Sequence, residues 1–424
     1  MREDFVVYLW KFQQLKTTAL TTTEGASIQI LKVGLENLNT GPDFFNAQLL
    51  IGNQKWAGNV EIHVNSSDWY AHGHEKDPNY DAVILHVVWE HDVAIYRKDS
   101  SVVPTLELKN FVDKAVLTNY HKLFSTTSKW INCENDIEKV DAFLMENWLE
   151  RLYIERLEQK SVLTEELLLE SKNDWEGVLF KLLAKNFGLK VNAEAFFDLA
   201  TKIDFNIIRK QQANLESLEA LFFGQSGLLN EDIEDGYYQR LKNEYTYLKA
   251  KYNLVDRFGV QFQFFRLRPS NFPTIRIAQL AALYHTHQNI FSKIIAATCV
   301  KDFYTLFDVS VSDYWKTHYS FTSTSKKTAK KVSKAFVDLL LINTIIPLKF
   351  MYLKQLGMFD SEELLRLVRQ IKPEKNSILT KFSTFGVPHK SALQTQGLLQ
   401  LKNEYCSKQA CLNCAIGNSY LRKG

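Results

Sequence analysis

The stretch Asn39–Trp69, NTGPDFFNAQLLIGNQKWAGNVEIHVNSSDW, decides how the first part of the chain is read. Two runs rich in aromatic and aliphatic residues flank Gly52-Asn53, a pair that favours the tight turn of a β-hairpin. Asp43 stands at the entrance of the first strand. Glu61 and His63 lie two apart on the second, so both project from one face. With a strict two-residue turn, Asp43 falls opposite Ile62, on the wrong face for Glu61 and His63. A bulge or one extra turn residue brings the three together, and Gly58 is the expected bulge site.

Outward from the hairpin, the pattern before about residue 130 is strand-like. SIQILKVG, DFFNAQLLIG, KWAGNVEIHV and DAVILHVVWEHDVAIY are rich in Val, Ile, Leu and aromatic residues, with turn residues between them. A helix over about residues 4–16, with Phe5, Tyr8, Leu9 and Phe12 on one face, precedes them. A short helical or irregular piece, SSDWYAHGHEKDPNYD, joins the third strand to the fourth. After TTSKWINCENDIEKVD the period becomes that of amphipathic helices, as in DWEGVLFKLLAKNFG and IRIAQLAALYHTHQNIF. No internal repeat supports a solenoid. The expected fold is α+β: a small mixed α/β domain over residues 1–130, then a large all-α domain over 131–424.

Composition bounds the function. A chain of 424 residues predicts two or three domains, and 46% hydrophobic with 23% charged residues is a globular balance. A formal net charge of +3 does not by itself predict a nucleic-acid binder, so any basic surface must come from local clustering. The start, MREDFVVYLW, lacks the order of a signal peptide. FVDLLLINTIIPLKFMYL is interrupted by Asp338, Asn343, Pro347 and Lys349, which predicts a buried helix with a break, not a membrane span. These features predict a cytoplasmic protein. Five cysteines, three of them in the last twenty residues, do not form a disulfide-framework pattern.

Carboxylates gathered at one spot suit Mg²⁺ or Mn²⁺, which prefer oxygen ligands and keep waters that can become nucleophiles. Further candidate ligands follow the hairpin: His72 and His74 in WYAHGH, Asp77, and His86 in ILHVVW. Four of the ten histidines fall within 24 residues. His86 lies inside an apolar strand and reads as a core histidine with a hydrogen-bonded ring. The others can equally be surface residues on a polar hairpin edge. GPDF…NVEIH is similar to the motif of the Pro-Asp nuclease superfamily, PD-(D/E)xK, with His63 where that superfamily has lysine. A neutral histidine can bind metal or accept a proton, but it is not a permanent cation. A second Glu-x-Lys, Glu107 and Lys109, has no Pro-Asp partner and reads as an exposed strand end.

Three stretches, NTGPDF.NA, GNVEIHVNSSDW..HGH..D..Y..VILHVVW and QGLLQLKNEYCSKQACLNCAIG, resemble domain-of-unknown-function family 2851, a bacterial group. The resemblance implies no activity. It does imply that the Gly-Pro-Asp-Phe, Val-Glu-Ile-His and His-x-His elements define the group.

In CSKQACLNC, Cys406, Cys411 and Cys414 have the spacing C-x₄-C-x₂-C, suited to Zn²⁺ or an iron–sulfur cluster that needs a fourth ligand. Cys133 is the candidate fourth, and Cys299 reads as a buried mid-helix residue. Inert reduced thiols on a terminal helix are the plain alternative. Several Pro-Asp nucleases carry a cluster built from one distant cysteine and a C-terminal group, an arrangement similar to this one. SKKTAKKVSKAF would place Lys326, Lys330 and Lys334 along one helical stripe able to track the phosphates of DNA or RNA, although a solvated face explains it as well. Arg266, Arg268 and Arg276 precede a helix and read as loop-holding groups.

The leading expectation is a metal-dependent phosphodiesterase, a nuclease, in a nuclease-like N-terminal domain. Asp43 and Glu61 would hold Mg²⁺ or Mn²⁺, His63 would orient or deprotonate the attacking water, and His72 or His74 would act on the phosphate or leaving group. The rivals are a nuclease-like binding or scaffold protein without chemistry, and a zinc hydrolase using the histidine cluster.

Overall fold

The computed structural model describes residues 1–125, 129–255, 259–358 and 360–422. The N-terminal amphipathic run folds as α1 (Glu3–Lys11), shorter than expected, and buries Phe5, Val6, Tyr8, Leu9 and Trp10. The strands are β1 (Ile28–Lys32), β2 (Leu35–Glu36), β3 (Phe44–Ile51), β4 (Gln54–Asn65), β5 (Val83–Glu90) and β6 (Thr105–Glu107). The long path of the sheet runs β1-β3-β4-β5-β6, with β2 pairing on β3. β3 is antiparallel to β1 and β4, whereas β4, β5 and β6 are mutually parallel. The parallel pair β4–β5 requires a crossover, which the piece after Asn65 supplies with α2 (Asp68–Ala71) and a 3₁₀ turn (Pro78–Tyr80). A helix α3 (Lys114–Leu123) follows β6.

The hairpin turn has two residues, Ile51 pairing with Gln54, and Gly52 supplies φ +60° for a type II′ turn. The register that this turn sets holds from Ile51 to Ala47 and then shifts, so that Phe44 pairs with Val60. The extra residue lies in β3 at Phe45-Asn46, with Asn46 left-handed at φ 57°. The bulge that the Asp43–Glu61 pairing requires therefore exists, but not at the expected Gly58. A Cβ at Gly58 would lie 2.5 Å from Ile84 Cγ2 and 2.6 Å from the Ala82 carbonyl, so glycine there serves the close approach of β5.

One face of this sheet packs Phe44, Leu49, Val60, Ile62, Leu85 and Val87 against Phe5, Val6 and Leu9. The C-terminal segment shares that core through Leu412 and Leu421. The chain divides into two compact units, one of residues 1–148, 385–387 and Leu401 onward, the other of residues 149–384 and 388–400. The expected boundary at 130 thus moves to 148, and the cysteine-bearing tail belongs with the sheet. Periodicity carries no sign of that return, because it reports only local structure.

The second unit is helical, beginning within α4 (Ala142–Glu170) and continuing through α5 (Trp175–Phe187) and α6 (Leu189–Thr201). Its core includes Phe180, whose ring lies 5.6 Å from Phe222 and 5.3 Å from Tyr284. The apolar run Lys334–Gln355 is long and apolar enough to cross a membrane, yet 67% of its most apolar window is buried inside the protein. The expected break is a π-helical turn at Leu341–Ile345 just before Pro347. The lysine stripe does not form. Ser333 caps a helix that starts at Lys334, and residues 325–333 are irregular. Lys330 turns inward, donating to the Trp315 and His318 carbonyls at 2.7 and 2.6 Å. Cys299 caps the helix Val300–Leu306 instead of lying mid-helix. Arg276 does hold its loop, through the Asn271 and Gln279 side chains, with its guanidinium 3.6 Å from the centre of the Phe336 ring.

Candidate metal centre

The bulge at Asn46 brings Asp43 across from Glu61. The Asp43 N–H donates to Glu61 Oε2 at 3.2 Å, and the Ile62 N–H donates to Asp43 Oδ2 at 2.9 Å. Asn37 shapes the entry: its side-chain amide donates to the carbonyls of Asn39, Thr40 and Pro42, and its N–H to that of Asp43. Glu61 and His63 alternate with the core-facing Val60 and Ile62, so they occupy the opposite face. His86, paired with Glu61 in the parallel register, joins them there.

The crossover covers that face. Asp92 accepts from Ser66 Oγ, the Ser67 N–H and Ser67 Oγ, anchoring the start of α2. Gly73, at φ +73°, then lets His72 and His74 turn back over the sheet. Asp77 is occupied as a cap, accepting from the Asn79 N–H at 2.9 Å, so it is not among the converging groups. Tyr80 stacks on His74 at 3.8 Å, and Trp69 lies 5.4 Å from His74 and 5.6 Å from His86. The cage leaves Glu61 5%, His63 1%, His74 9% and His86 0% exposed, while His72 faces solvent.

The remaining free oxygen of Glu61 points at the imidazoles. Its Oε1 lies 3.3 Å from His74 Nε2 and 3.5 Å from His63 Nε2, and His63 Nε2 lies 3.0 Å from His72 Nδ1. One nitrogen from each of His63, His72 and His74 falls within 4.8 Å of the others. Donors bound at ~2.1 Å to one ion are separated by about 3.0 Å in octahedral and about 3.4 Å in tetrahedral geometry, and the 3.0, 3.3 and 3.5 Å contacts fall near those values. His74 Nε2 is buried and makes no hydrogen bond, although the Glu61 oxygen is beside it. Two lone-pair atoms in contact without hydrogen-bond alignment suit a shared cation. The opposite edge of the His63 ring is held, Nδ1 lying 2.8 Å from His86 Nε2. Such a bond fixes which nitrogen of a ligating histidine is free.

Electrostatics agree with this donor set. Burial pushes His63 down to about 3, helped by His74 and His72, so its imidazole is neutral and has a lone pair to offer. Burial also lowers His74 and His86. The Asp43 carboxyl is raised by burial and then by the charge of Glu61, and Glu61 is raised by burial. A cation at this point would relieve both. Glu3 was not singled out in the sequence, yet its charge acts on Asp43 and Glu61 from the start of α1. Its own carboxyl is raised by partial burial and lowered by His72. Lys109 stays outside, pairing with Glu107 at 2.9 Å and Glu90 at 3.4 Å, as expected of an exposed strand end.

No curated protein and no solved structure matches the chain. Residues 3–377 match the model of the family described as Protein of unknown function (DUF2851), and the chain belongs to that family.

Proposed function

We propose that the protein is a metal-dependent hydrolase of phosphodiesters, with DNA or RNA as substrate, acting through one transition ion. The convergence of His63, His72 and His74, with Glu61 Oε1 beside His63 Nε2 and His74 Nε2, carries this reading. Three imidazole donors favour Zn²⁺ or Mn²⁺ over Mg²⁺, which prefers oxygen ligands and retains its waters. Such an ion lowers the pKa of a bound water and polarises a phosphoryl oxygen. Asp43, whose N–H bonds Glu61 Oε2, would be the residue to take a proton from that water. His86 orients His63 through the Nδ1 edge. The exposed position of His72 leaves one side open to a substrate. The likeness of Gly41-Pro42-Asp43…Glu61-Ile62-His63 to the Pro-Asp nuclease motif supports the phosphodiester class. With His63 at the lysine position, phosphate stabilisation falls to the ion.

Crystals grown with Mn²⁺ and read through their anomalous signal test the centre. Assays on bis(p-nitrophenyl) phosphate and on single- and double-stranded DNA and RNA test the chemistry. The expected result is a peak among the four donors and hydrolysis that falls by ~10²–10⁴-fold in Asp43→Asn, with the metal retained. An empty donor set removes the metal reading. A filled centre without cleavage of any of these esters removes the phosphodiesterase and leaves a binding protein.

A further inference from the structure

The four cysteines singled out in the sequence meet. Cys133, Cys406, Cys411 and Cys414 line one small cavity within the first unit, closed by Leu123, Leu401 and Ile416. Each comes from a different local structure. Cys133 lies in the turns after α3, and Cys406 ends a π-helical stretch. Cys411 opens a 3₁₀ turn, and Cys414 precedes the last helix, Ala415–Leu421. All four are free thiols, with Cys411 and Cys414 buried.

Three observations bear on a ligand. The four cysteines line the same cavity as Asn132, Tyr405 and Gly417, which puts their side chains around one space. A donor is aimed at sulfur: Asn132 Nδ2 reaches Cys411 Sγ at 3.4 Å. Hydrogen bonds of this kind stabilise and tune metal-bound thiolates. The loop is also built tightly, because a Cβ at Gly417 would lie 2.1 Å from the Cys411 carbonyl oxygen. An apolar cavity with four sulfurs selects a soft metal over Mg²⁺ or Ca²⁺.

We infer that Cys133, Cys406, Cys411 and Cys414 form a four-thiolate site for a thiophilic metal centre, either one Zn²⁺ or an iron–sulfur cluster, which fastens the C-terminal segment to the sheet. Binding deprotonates the thiols and releases their protons to solvent. The site is independent of the histidine centre. It joins residues far apart in sequence, so its loss would free the tail as well as the metal.

The test uses full-length protein produced with iron and zinc supplied and purified without oxygen. Metal and acid-labile sulfide are measured in the wild type and in the His63→Ala/His72→Ala/His74→Ala variant, which removes the other candidate centre. In the histidine variant, about one zinc without sulfide supports a single ion, and about four iron with four sulfide supports a cluster. In either case that metal disappears when Cys133→Ser is added to the histidine variant, whereas Cys133→Ser alone keeps the metal of the histidine centre. Differential alkylation of the wild type reads the same site without relying on a variant that must fold. The four thiols should react only after chelator and denaturant, while Cys299 reacts first. Four thiols that alkylate as fast as Cys299 in the protein as purified, before any chelator is added, overturn the proposal. So does a disulfide among them, or a metal content that Cys133→Ser leaves unchanged in folded protein.

Discussion

His86 sits in an apolar strand, and its reading as a buried, hydrogen-bonded histidine holds. What one sequence could not reveal is that its partner is His63, because a cross-strand neighbour depends on the parallel pairing of β4 with β5. This makes His86 a positioning residue. His86→Phe keeps the ring volume against Trp69 but leaves His63 Nδ1 unpaired. Affinity of the histidine centre for Zn²⁺, read by competition with a chelator in a Cys133→Ser background, should fall ~10–100-fold, whereas His63→Ala should abolish binding there. Unchanged affinity in His86→Phe would reduce the histidine pair to packing. Glu219, in the helical unit, makes a separate prediction about pH. It is 1% exposed, accepts from Tyr237 and Ser312, and burial pushes its carboxyl up to about 7. An acid whose folded pKa is raised binds its proton more tightly when folded. Its contribution to stability is thus complete below its ordinary pKa and is lost as pH rises through about 7. Denaturant unfolding should show a decline on the order of 3 kcal/mol between about pH 4.5 and pH 8 that Glu219→Gln removes. Parallel profiles for the two proteins would contradict it.

Among the elements, the hairpin shows what was legible and what was not. Gly52-Asn53 announced the turn and the strands around it, and the face problem announced that an irregularity was needed. Its location was not legible. Gly58 satisfied the usual compositional signal for a bulge, yet that glycine answers to Ile84 and Ala82 on a neighbouring strand. Asn46 carries the bulge because asparagine tolerates the left-handed region better than most residues. The lysine stripe failed for a related reason: charge spacing suggests a helix only where the backbone is helical, and Ser333 starts the helix after most of those lysines. The bulge can be tested as an element. Asn46→Gly should keep the register and the metal centre. Asn46→Val places a β-branched residue at φ 57°, and should cost about 1–3 kcal/mol in thermal or denaturant unfolding. If the strand relieves that strain by losing the bulge, Asp43 moves opposite Ile62. Activity then falls as far as in Asp43→Asn while the histidine ligands remain. Equal stability and activity in both variants would show that the bulge does not set the site.

At the scale of the molecule, the first unit is closed by residues from the other end of the chain. Leu412 and Leu421 are buried in the core that holds Phe5, Val6 and Leu123. Asn119 Nδ2 reaches the Tyr420 and Leu421 carbonyls, and the Arg422 guanidinium lies 5.4 Å from the centre of the Phe12 ring. Burying each leucine contributes about 1.5–3 kcal/mol, against a total stability of roughly 5–15 kcal/mol for a domain. Removing the tail also exposes the apolar surface it covered. A chain ending at Gln400 should therefore lose the sheet's stability while the helical unit, which keeps its own core, stays folded. Hydrogen exchange separates the two. Strands β3, β4 and β5 should lose protection, and the buried helices Trp175–Phe187 and Pro273–Thr286 should keep theirs. Chelator treatment of the full chain should move exchange in the same direction by less, because the apolar contacts of the tail survive the loss of a metal. Full protection of the strands in the shortened chain would mean that the sheet stands on α1 and α3 alone. The tail would then be a cover for the cysteine cavity and not part of the unit's foundation.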